Sequence, residues 1–313
     1  MNKTDKLLVS LTSFIQKAEE SEGQKLVETI PDFPGLSRIP RYVEDYEKSI
    51  ARLFRSQRKR FLKGLNGFVS KADSETLQEL LVFFTQNLFA EDDFQEEFQE
   101  LTEDFLQQTL EELAAVIMDS IDPEVPFKVL SARSIDWIKD WSKRLAEIMQ
   151  LNTHEAVETV LTEAIDSGSS IQEIELTLKD MPHFDRPRAR TTAITEVLAA
   201  SSAAQHESYA QSPAVYKKKW RHSGGKKNNP RENHIDLDGT IVGVDEEFKI
   251  PGSSETCMYP RDTKLSAAER VRCHCVLSPV VDNKVLGLSA EEKEEIRRKA
   301  LENLNGGTKS RLK

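Results

Sequence analysis

The residues best suited to chemistry lie in the stretch from Trp220 to Cys275. It contains one histidine and three cysteines that form an accepted ligand set for tetrahedral zinc, namely His234, Cys257, Cys273 and Cys275. Residues two apart on a strand point to the same face, so Cys273 and Cys275 would meet one ion if the backbone bends locally. The sequence predicts one structural zinc ion on these four residues. The alternative is that no metal binds and that the cysteines are small buried side chains beside a structural histidine.

The spacing of the cysteines leaves the identity of the ligands open. Zinc-binding cysteine pairs are usually separated by two to four residues, whereas a single residue separates Cys273 from Cys275. His222 and His274 could also take the place of Cys257. The N-terminal residues do not have the pattern of a secretion signal, so free thiols or metal ligands are expected rather than disulfides.

A metal-dependent nuclease or other hydrolase is the alternative function for the same stretch. His234, Asp236 and Asp238 alternate, and on a strand they would share one face, as a site for divalent ions requires. Asp238 has a competing explanation, because Asp238-Gly239 between two β-prone segments predicts a hairpin turn. For Asp236 the competing explanation is an ordinary surface carboxylate.

Positive charge is concentrated just before these residues. The candidate DNA contacts around Trp220 are Lys217, Lys218, Lys219, Arg221, Lys226, Lys227 and Arg231. Cationic side chains and an aromatic ring in a glycine-containing loop favour contact with phosphate, and the alternative is a solvated loop. The net charge of the chain is −10, which excludes a general nucleic-acid coat and restricts DNA binding to this patch.

The sequence carries none of the common catalytic motifs. It has no phosphate-binding glycine loop before a helix, no nucleophile elbow and no histidine in a hydrolase context. We therefore predict a protein that is not an enzyme. No apolar segment reaches the roughly 18 residues that span a bilayer, so no membrane partner is expected.

The elements that must position this stretch are mainly helices. The chain has 313 residues, 38% hydrophobic and 31% charged, a composition typical of charge-rich helical proteins. Apolar residues recur every three or four positions up to about residue 209, and after Ser212-Pro213 the period shortens. Capping boxes are predicted from three Ser/Glu pairs, Ser170 with Glu173, Ser266 with Glu269 and Ser289 with Glu292. The predicted fold is α+β, mostly helical over the N-terminal two-thirds, with a small C-terminal module that contains a β-hairpin.

Composition and proline positions divide the chain into four segments. Residues 1–125 are a helical N-terminal region, and residues 126–212 are a second helical region. Residues 213–285 form a small α+β cysteine-bearing module, and residues 286–313 form a charged C-terminal helix and tail. Pro123, Pro126 and Pro213 mark the first two boundaries.

The order of motifs between about residues 130 and 281 resembles the Mu F-like minor head proteins of tailed bacteriophages. The C-terminal motifs are Arg231-x-x-His234-x-x-Leu237-Asp238-Gly239, Phe248, Pro251-Gly252 and Cys273-x-Cys275-x-x-x-Pro279-Val280. Preceding them are Trp141, Gly168, Arg188-Ala189, Thr195-Glu196 and Trp220. The sequence departs from the family where Ile194 replaces a common arginine and Lys226 lies in a loop that often has an aspartate. Cys257 is not a family position.

The resemblance implies a head morphogenesis protein present in few copies. Its implied partners are the portal protein, and also the scaffolding protein and viral DNA. It would join the procapsid in the host cytoplasm, remain inside the virion head near the portal, and take part in DNA packaging or ejection. Related domains also precede toxic effector domains, but here only a charged helix follows Val281.

Overall fold

The structure, a computed structural model, describes residues 25–70, 76–224 and 230–306. Long helices dominate the first two-thirds of this part of the chain, as predicted. They are α1 (Ile39–Val69), α2 (Leu77–Phe83), α3 (Phe94–Ile121), α4 (Ala132–Ser167), α5 (Ile171–Lys179) and α6 (Arg186–Gln211). The predicted capping box begins α5, because Ser170 and Glu173 each accept the other's backbone N–H.

The described residues form two compact units. One unit comprises the described residues of Met1–Glu44, Leu106–Ile135 and Ile194–Lys313, and the other comprises those of Asp45–Phe105 and Asp136–Ala193. Their boundaries fall inside α1, α3, α4 and α6, whereas the sequence-based boundaries lie near residues 125, 212 and 285. We call the unit that holds the C-terminal third the sheet unit, and the other the helical unit.

The helical unit has an aromatic core. Phe61 is its centre, and its ring contacts the rings of Phe84, Phe89 and Phe184 at centroid distances of 5.7 to 6.1 Å. Such ring pairs add about 0.5–1.5 kcal/mol each beyond their burial. Asp92 is the buried acceptor of this unit, and its carboxylate accepts hydrogen bonds from Gln57, Arg60 and the N–H of Phe94.

The sheet unit contains a three-stranded antiparallel sheet in the order β2-β1-β5. The strands are β1 (Val215–Arg221), β2 (Ile241–Gly243) and β5 (Val276–Val281), and a separate hairpin pairs β3 (Phe248–Lys249) with β4 (Thr256–Cys257). Short helices connect them, namely α7 (Glu232–Asp236), α8 (Ala267–Arg270) and α9 (Asn283–Leu286), and the final helix is α10 (Ala290–Gly306). The predicted α+β fold with a hairpin-containing C-terminal module is confirmed.

The turn at Asp238-Gly239 differs from the prediction. It joins α7 to β2 and not two paired strands, because β2 pairs with β1, where Lys219 lies opposite Ile241. Gly239 has φ +78°, a left-handed conformation that favours glycine, and its N–H donates to the Trp220 carbonyl. The motif was therefore identified correctly as a turn but assigned to the wrong elements.

The two cysteines do not lie on a strand, unlike the arrangement considered from their spacing. The pairing of β5 with β1 starts at Val276, opposite Arg221, so Cys273 and Cys275 precede the strand. Arg272 has φ +56°, a left-handed conformation that a strand does not allow. This residue lies immediately before Cys273, in the turn that leads from α8 to the cysteines.

Candidate metal centre

His234, Cys273 and Cys275 converge in the sheet unit. Their possible ligand atoms all lie within 4.8 Å of one another. Nδ1 of His234 is 3.5 Å from Sγ of Cys273 and 3.7 Å from Sγ of Cys275. Each of the three residues is only 2% exposed. Three of the four predicted zinc ligands are thus brought together, in an environment that excludes bulk water.

Local structure explains how distant residues reach this point. His234 lies on α7, whose first turn is held when Arg231 donates to the Val271 carbonyl at 2.7 Å. The same carbonyl belongs to the turn that leads into Cys273. The fully buried Trp220 packs its ring edge-on against His234, with centroids 5.5 Å apart. The imidazole is therefore confined between β1 and the loop before β5.

A carboxylate occupies the far side of the imidazole. Oε2 of Glu269 lies 2.8 Å from Nε2 of His234, while its Oε1 accepts a hydrogen bond from Asn233. The two atoms do not have the geometry of a hydrogen bond, so this contact places a carboxylate beside the ring. On the other side of the ring, Nδ1 faces the two sulfur atoms.

This position of Glu269 contradicts the predicted capping box at Ser266. The side chain of Ser266 makes no cap hydrogen bond, and its N–H donates to Glu255 instead. Glu269 lies against His234 instead. Sequence spacing therefore located this glutamate on a helix but missed its function.

A buried cation lies beside the cysteines. Arg261 is fully buried, and its Nη1 donates to the Cys273 carbonyl at 2.7 Å and lies 3.8 Å from Sγ of that residue. Its Nη2 donates to Ser202. Arg261 has φ +65°, and nothing in its sequence context indicated a role in the site. Only the tertiary structure revealed it.

The two thiols have opposite acidities. A hydrogen bond from Cys275, supported by His234 and Arg261, holds the pKa of the Cys273 thiol well below its usual value. The same shared hydrogen bond and burial raise the pKa of Cys275. The hydrogen bond between the two thiols thus favours ionisation of Cys273 over Cys275.

Cys257, His222 and His274 lie outside this group. Cys257 is on β4 opposite Phe248, and burial raises the pKa of its thiol. His222 is partly exposed, and its Nδ1 accepts the N–H of Gly224. His274 is 2.8 Å from Thr29 Oγ1 through its Nδ1, so it faces away from the cysteines that flank it.

The arrangement expected for a nuclease is not formed. Asp236 is exposed on α7, and residues two apart on a helix do not share a face, so it points away from the buried His234. Asp238 accepts the backbone N–H of His222 at 2.7 Å. The prediction of one shared face for these residues is wrong, because residues 232–236 form a helix and not a strand.

Side chains alternate between the two faces of β1, and this separates the candidate DNA contacts into exposed and buried residues. Lys217 is exposed and Lys219 half-buried, whereas Lys218 is fully buried, with Nζ 5.6 Å from the centre of the Phe248 ring. Arg221 donates to the carbonyl of Asp32, and Arg231 to that of Val271. Lys226 and Lys227 lie outside the described residues. Lys218 is therefore inaccessible to DNA, and the contact with DNA stays a prediction for the others.

Comparison with known proteins decides the family. Residues 155–278 match the model of the phage Mu protein F like protein family, and the match includes His234, Cys273 and Cys275. The chain is also 80% identical to the uncharacterized protein YqbB of Bacillus subtilis (strain 168) over 304 residues, which cover 97% of this chain and 100% of YqbB. The chain belongs to the phage Mu F-like family. The resemblance stated from the motifs is confirmed.

Two further comparisons limit what family membership shows about this chain. The Mu F-like chain is 30% identical over 160 residues to the NAD(+)--arginine ADP-ribosyltransferase EFV of Enterococcus faecalis (strain ATCC 700802 / V583), covering 50% of this chain and 31% of EFV. No solved structure matches the chain. Family membership indicates a phage head morphogenesis protein, associated with the virion and other capsid components. Among the described residues, no helix is long and apolar enough to cross a membrane.

Proposed function

We propose that this Mu F-like protein is a non-catalytic assembly factor of the phage head, recruited by the portal protein during procapsid assembly. The observation that carries the proposal is family membership, because the matched region spans the buried centre. The burial of His234, Cys273 and Cys275 supports a structural role, since a phosphate group of DNA cannot reach side chains that are 2% exposed. The protein then remains inside the head near the portal and takes part in DNA packaging or ejection. Scaffolding protein and DNA are its further partners.

The helical unit offers a surface suited to a protein partner. A groove of ≈ 690 Å³ lies between α4 and α5, and Val160, Leu176 and Met181 contribute to its lining. Leu176 is 59% exposed there. Exposed apolar side chains around a concavity favour protein association. We assign this groove to the portal contact.

Co-expression of the portal, scaffolding and major capsid proteins with this protein tests the proposal. Wild-type protein is expected in purified procapsids only when portal is present. Leu176→Asp should reduce incorporation at least tenfold without unfolding the protein, because the side chain is exposed. Val129→Asp is the matched control, since Val129 is 54% exposed in the sheet unit. Equal incorporation without portal would refute recruitment by it.

The non-catalytic part of the proposal has a separate test. Purified protein is incubated with DNA or RNA and with magnesium, manganese or zinc. No cleavage is expected. Cleavage that disappears in Asp236→Asn would restore the nuclease hypothesis.

A further inference from the structure

The separations around His234 match those of a tetrahedral zinc site. Zinc binds cysteine sulfur at about 2.3 Å and histidine nitrogen at about 2.0–2.1 Å, so two such ligands at the tetrahedral angle lie about 3.6 Å apart. The distances from His234 Nδ1 to the sulfurs of Cys273 and Cys275 are 3.5 Å and 3.7 Å. Both nitrogen-to-sulfur distances thus fit the spacing that zinc requires, and all three ligand atoms lie within 4.8 Å of one another.

Each of the three groups also has an outer partner of the right polarity. Glu269 lies at 2.8 Å from Nε2 of His234, the arrangement that orients metal-binding histidines. Arg261 lies near Sγ of Cys273, and the backbone N–H of Ser223 hydrogen-bonds to Cys275. Donors directed at sulfur stabilise thiolates, and the carboxylate makes the imidazole a better ligand.

The charges of such a centre balance. Zinc and two thiolates together are neutral, so the ion and its three ligands would carry no net charge. Buried charge is tolerated only when it is paired.

We propose that His234, Cys273 and Cys275 bind one zinc ion through Nδ1 and two thiolates, with Glu269 as the residue that positions the imidazole. Cys257 is not a ligand, because it lies outside the group. Three protein ligands leave the fourth position of the ion to a water molecule buried with it. The proposal does not depend on the role of the protein in the phage head.

The centre would join three parts of the sheet unit. His234 lies on α7 and the cysteines lie in the loop before β5, so the ion would link these two elements. His274, between the cysteines, holds Thr29 at 2.8 Å and so connects this loop to the segment that precedes α1. Because ligands of a structural site are brought together by folding, zinc binding contributes directly to stability.

Metal analysis of the untagged, full-length protein tests this inference. Wild-type protein and Cys257→Ser are each expected to retain about one zinc per chain after dialysis. The zinc content of Cys273→Ser should be at least tenfold lower. Chelation should lower the midpoint of thermal unfolding of the first two proteins. Failure of wild-type protein to bind zinc after incubation with excess metal would overturn the proposal.

Cobalt substitution keeps the test decisive if Cys273→Ser does not fold. Cobalt(II) in the wild-type protein should show sulfur-to-cobalt charge transfer of an intensity that indicates two thiolates, and Cys257→Ser should leave that spectrum unchanged. A spectrum that loses one thiolate in Cys257→Ser would show that Cys257 is a ligand. Absence of any sulfur-to-cobalt band would also refute the site.

Discussion

At the scale of single residues, two buried cations are handled in different ways. Arg261 donates hydrogen bonds to a carbonyl and a hydroxyl, which compensate part of its desolvation, while its Nε has no hydrogen-bond partner among the described residues. Lys218 is equally buried, but within the described residues its Nζ has no hydrogen-bond acceptor and instead lies over the ring of Phe248. A cation above an aromatic ring recovers only part of its lost hydration. Lys218 is therefore a source of instability at neutral pH.

Burial lowers the pKa of Lys218 to about 8, whereas the unfolded chain has the ordinary value near 10.5. Between these values the unfolded state binds more protons, so Lys218 makes stability rise with pH from about 8 to about 10.5. Below pH 8 the full cost is present. Lys218→Met should raise the free energy of unfolding at pH 7 by about 2 kcal/mol and flatten this pH dependence. Urea unfolding between pH 7 and 10 measures the free energy of unfolding and its pH dependence, with Lys219→Met as the control. A Lys218→Met protein less stable than wild type would contradict this prediction.

Glu269 gives the second prediction at this scale, which rests on the zinc proposal. Glu269→Gln keeps the shape of the side chain but removes the negative charge beside His234 Nε2. Loss of such an outer partner typically weakens metal binding about 10- to 100-fold. Competition with a zinc indicator measures the affinity. Glu232→Gln, exposed on the same helix, should leave it unchanged.

At the scale of elements, the start of α4 depends on a buried carboxylate from α6. Glu207 accepts hydrogen bonds from the N–H and Oγ of Ser131 and from Oγ of Ser134, at 2.7 to 3.0 Å. Oγ of Ser131 in turn accepts the N–H of Ser134 in the first turn of α4, and the carboxylate balances the partial positive charge of the helix N-terminus. No local sequence motif predicts this contact, because Glu207 is 76 residues away from Ser131 in sequence.

Glu207→Gln should therefore destabilise the protein by about 2–3 kcal/mol, because an amide replaces one acceptor oxygen with a donor that faces other donors. Denaturant unfolding measures the loss. Glu163→Gln, an exposed position on α4, is the control and should change stability by less than about 0.5 kcal/mol. An equal effect of both substitutions would show that Glu207 does not cap α4.

At the scale of the whole molecule, the charged C-terminal helix belongs to the sheet unit. Lys293 of α10 is buried and lies 2.9 Å from Asp122 and 2.7 Å from Glu124. Arg297 is fully buried and donates to Gln211 on α6. The reciprocal bonds of Ser289 and Glu292 confirm the predicted capping box at its start. The predicted charged helix is thus part of the packed structure.

Removal of α10 should therefore weaken the sheet unit. A chain that ends at Leu288 leaves the buried Asp122 without its ion-pair partner, and an unpaired buried carboxylate is strongly unfavourable. The midpoint of thermal unfolding should fall by several degrees. A chain that ends at Gly306, which lacks only residues beyond α10, is the control. Equal midpoints would show that α10 contributes nothing to stability.

The sequence by itself determined the helices of the first two-thirds and the family. Helical periodicity, two of three capping boxes and the turn at Gly239 depend on local interactions that neighbouring residues encode. The spacing of Cys273 and Cys275 was sufficient to suggest a shared ligand site, since a bend of one residue brings them together. Local patterns of this kind do not depend on contacts with residues far away in the sequence.

Only the tertiary structure decided which residues meet. It placed Glu269 on His234 rather than on Ser266, brought Arg261 to Cys273, left Cys257 outside the group and buried Lys218. These outcomes depend on contacts between residues far apart in sequence, and on left-handed backbone at Arg261 and Arg272 that no local signal predicts. Residue types suggested the chemistry, but packing determined which side chains surround it.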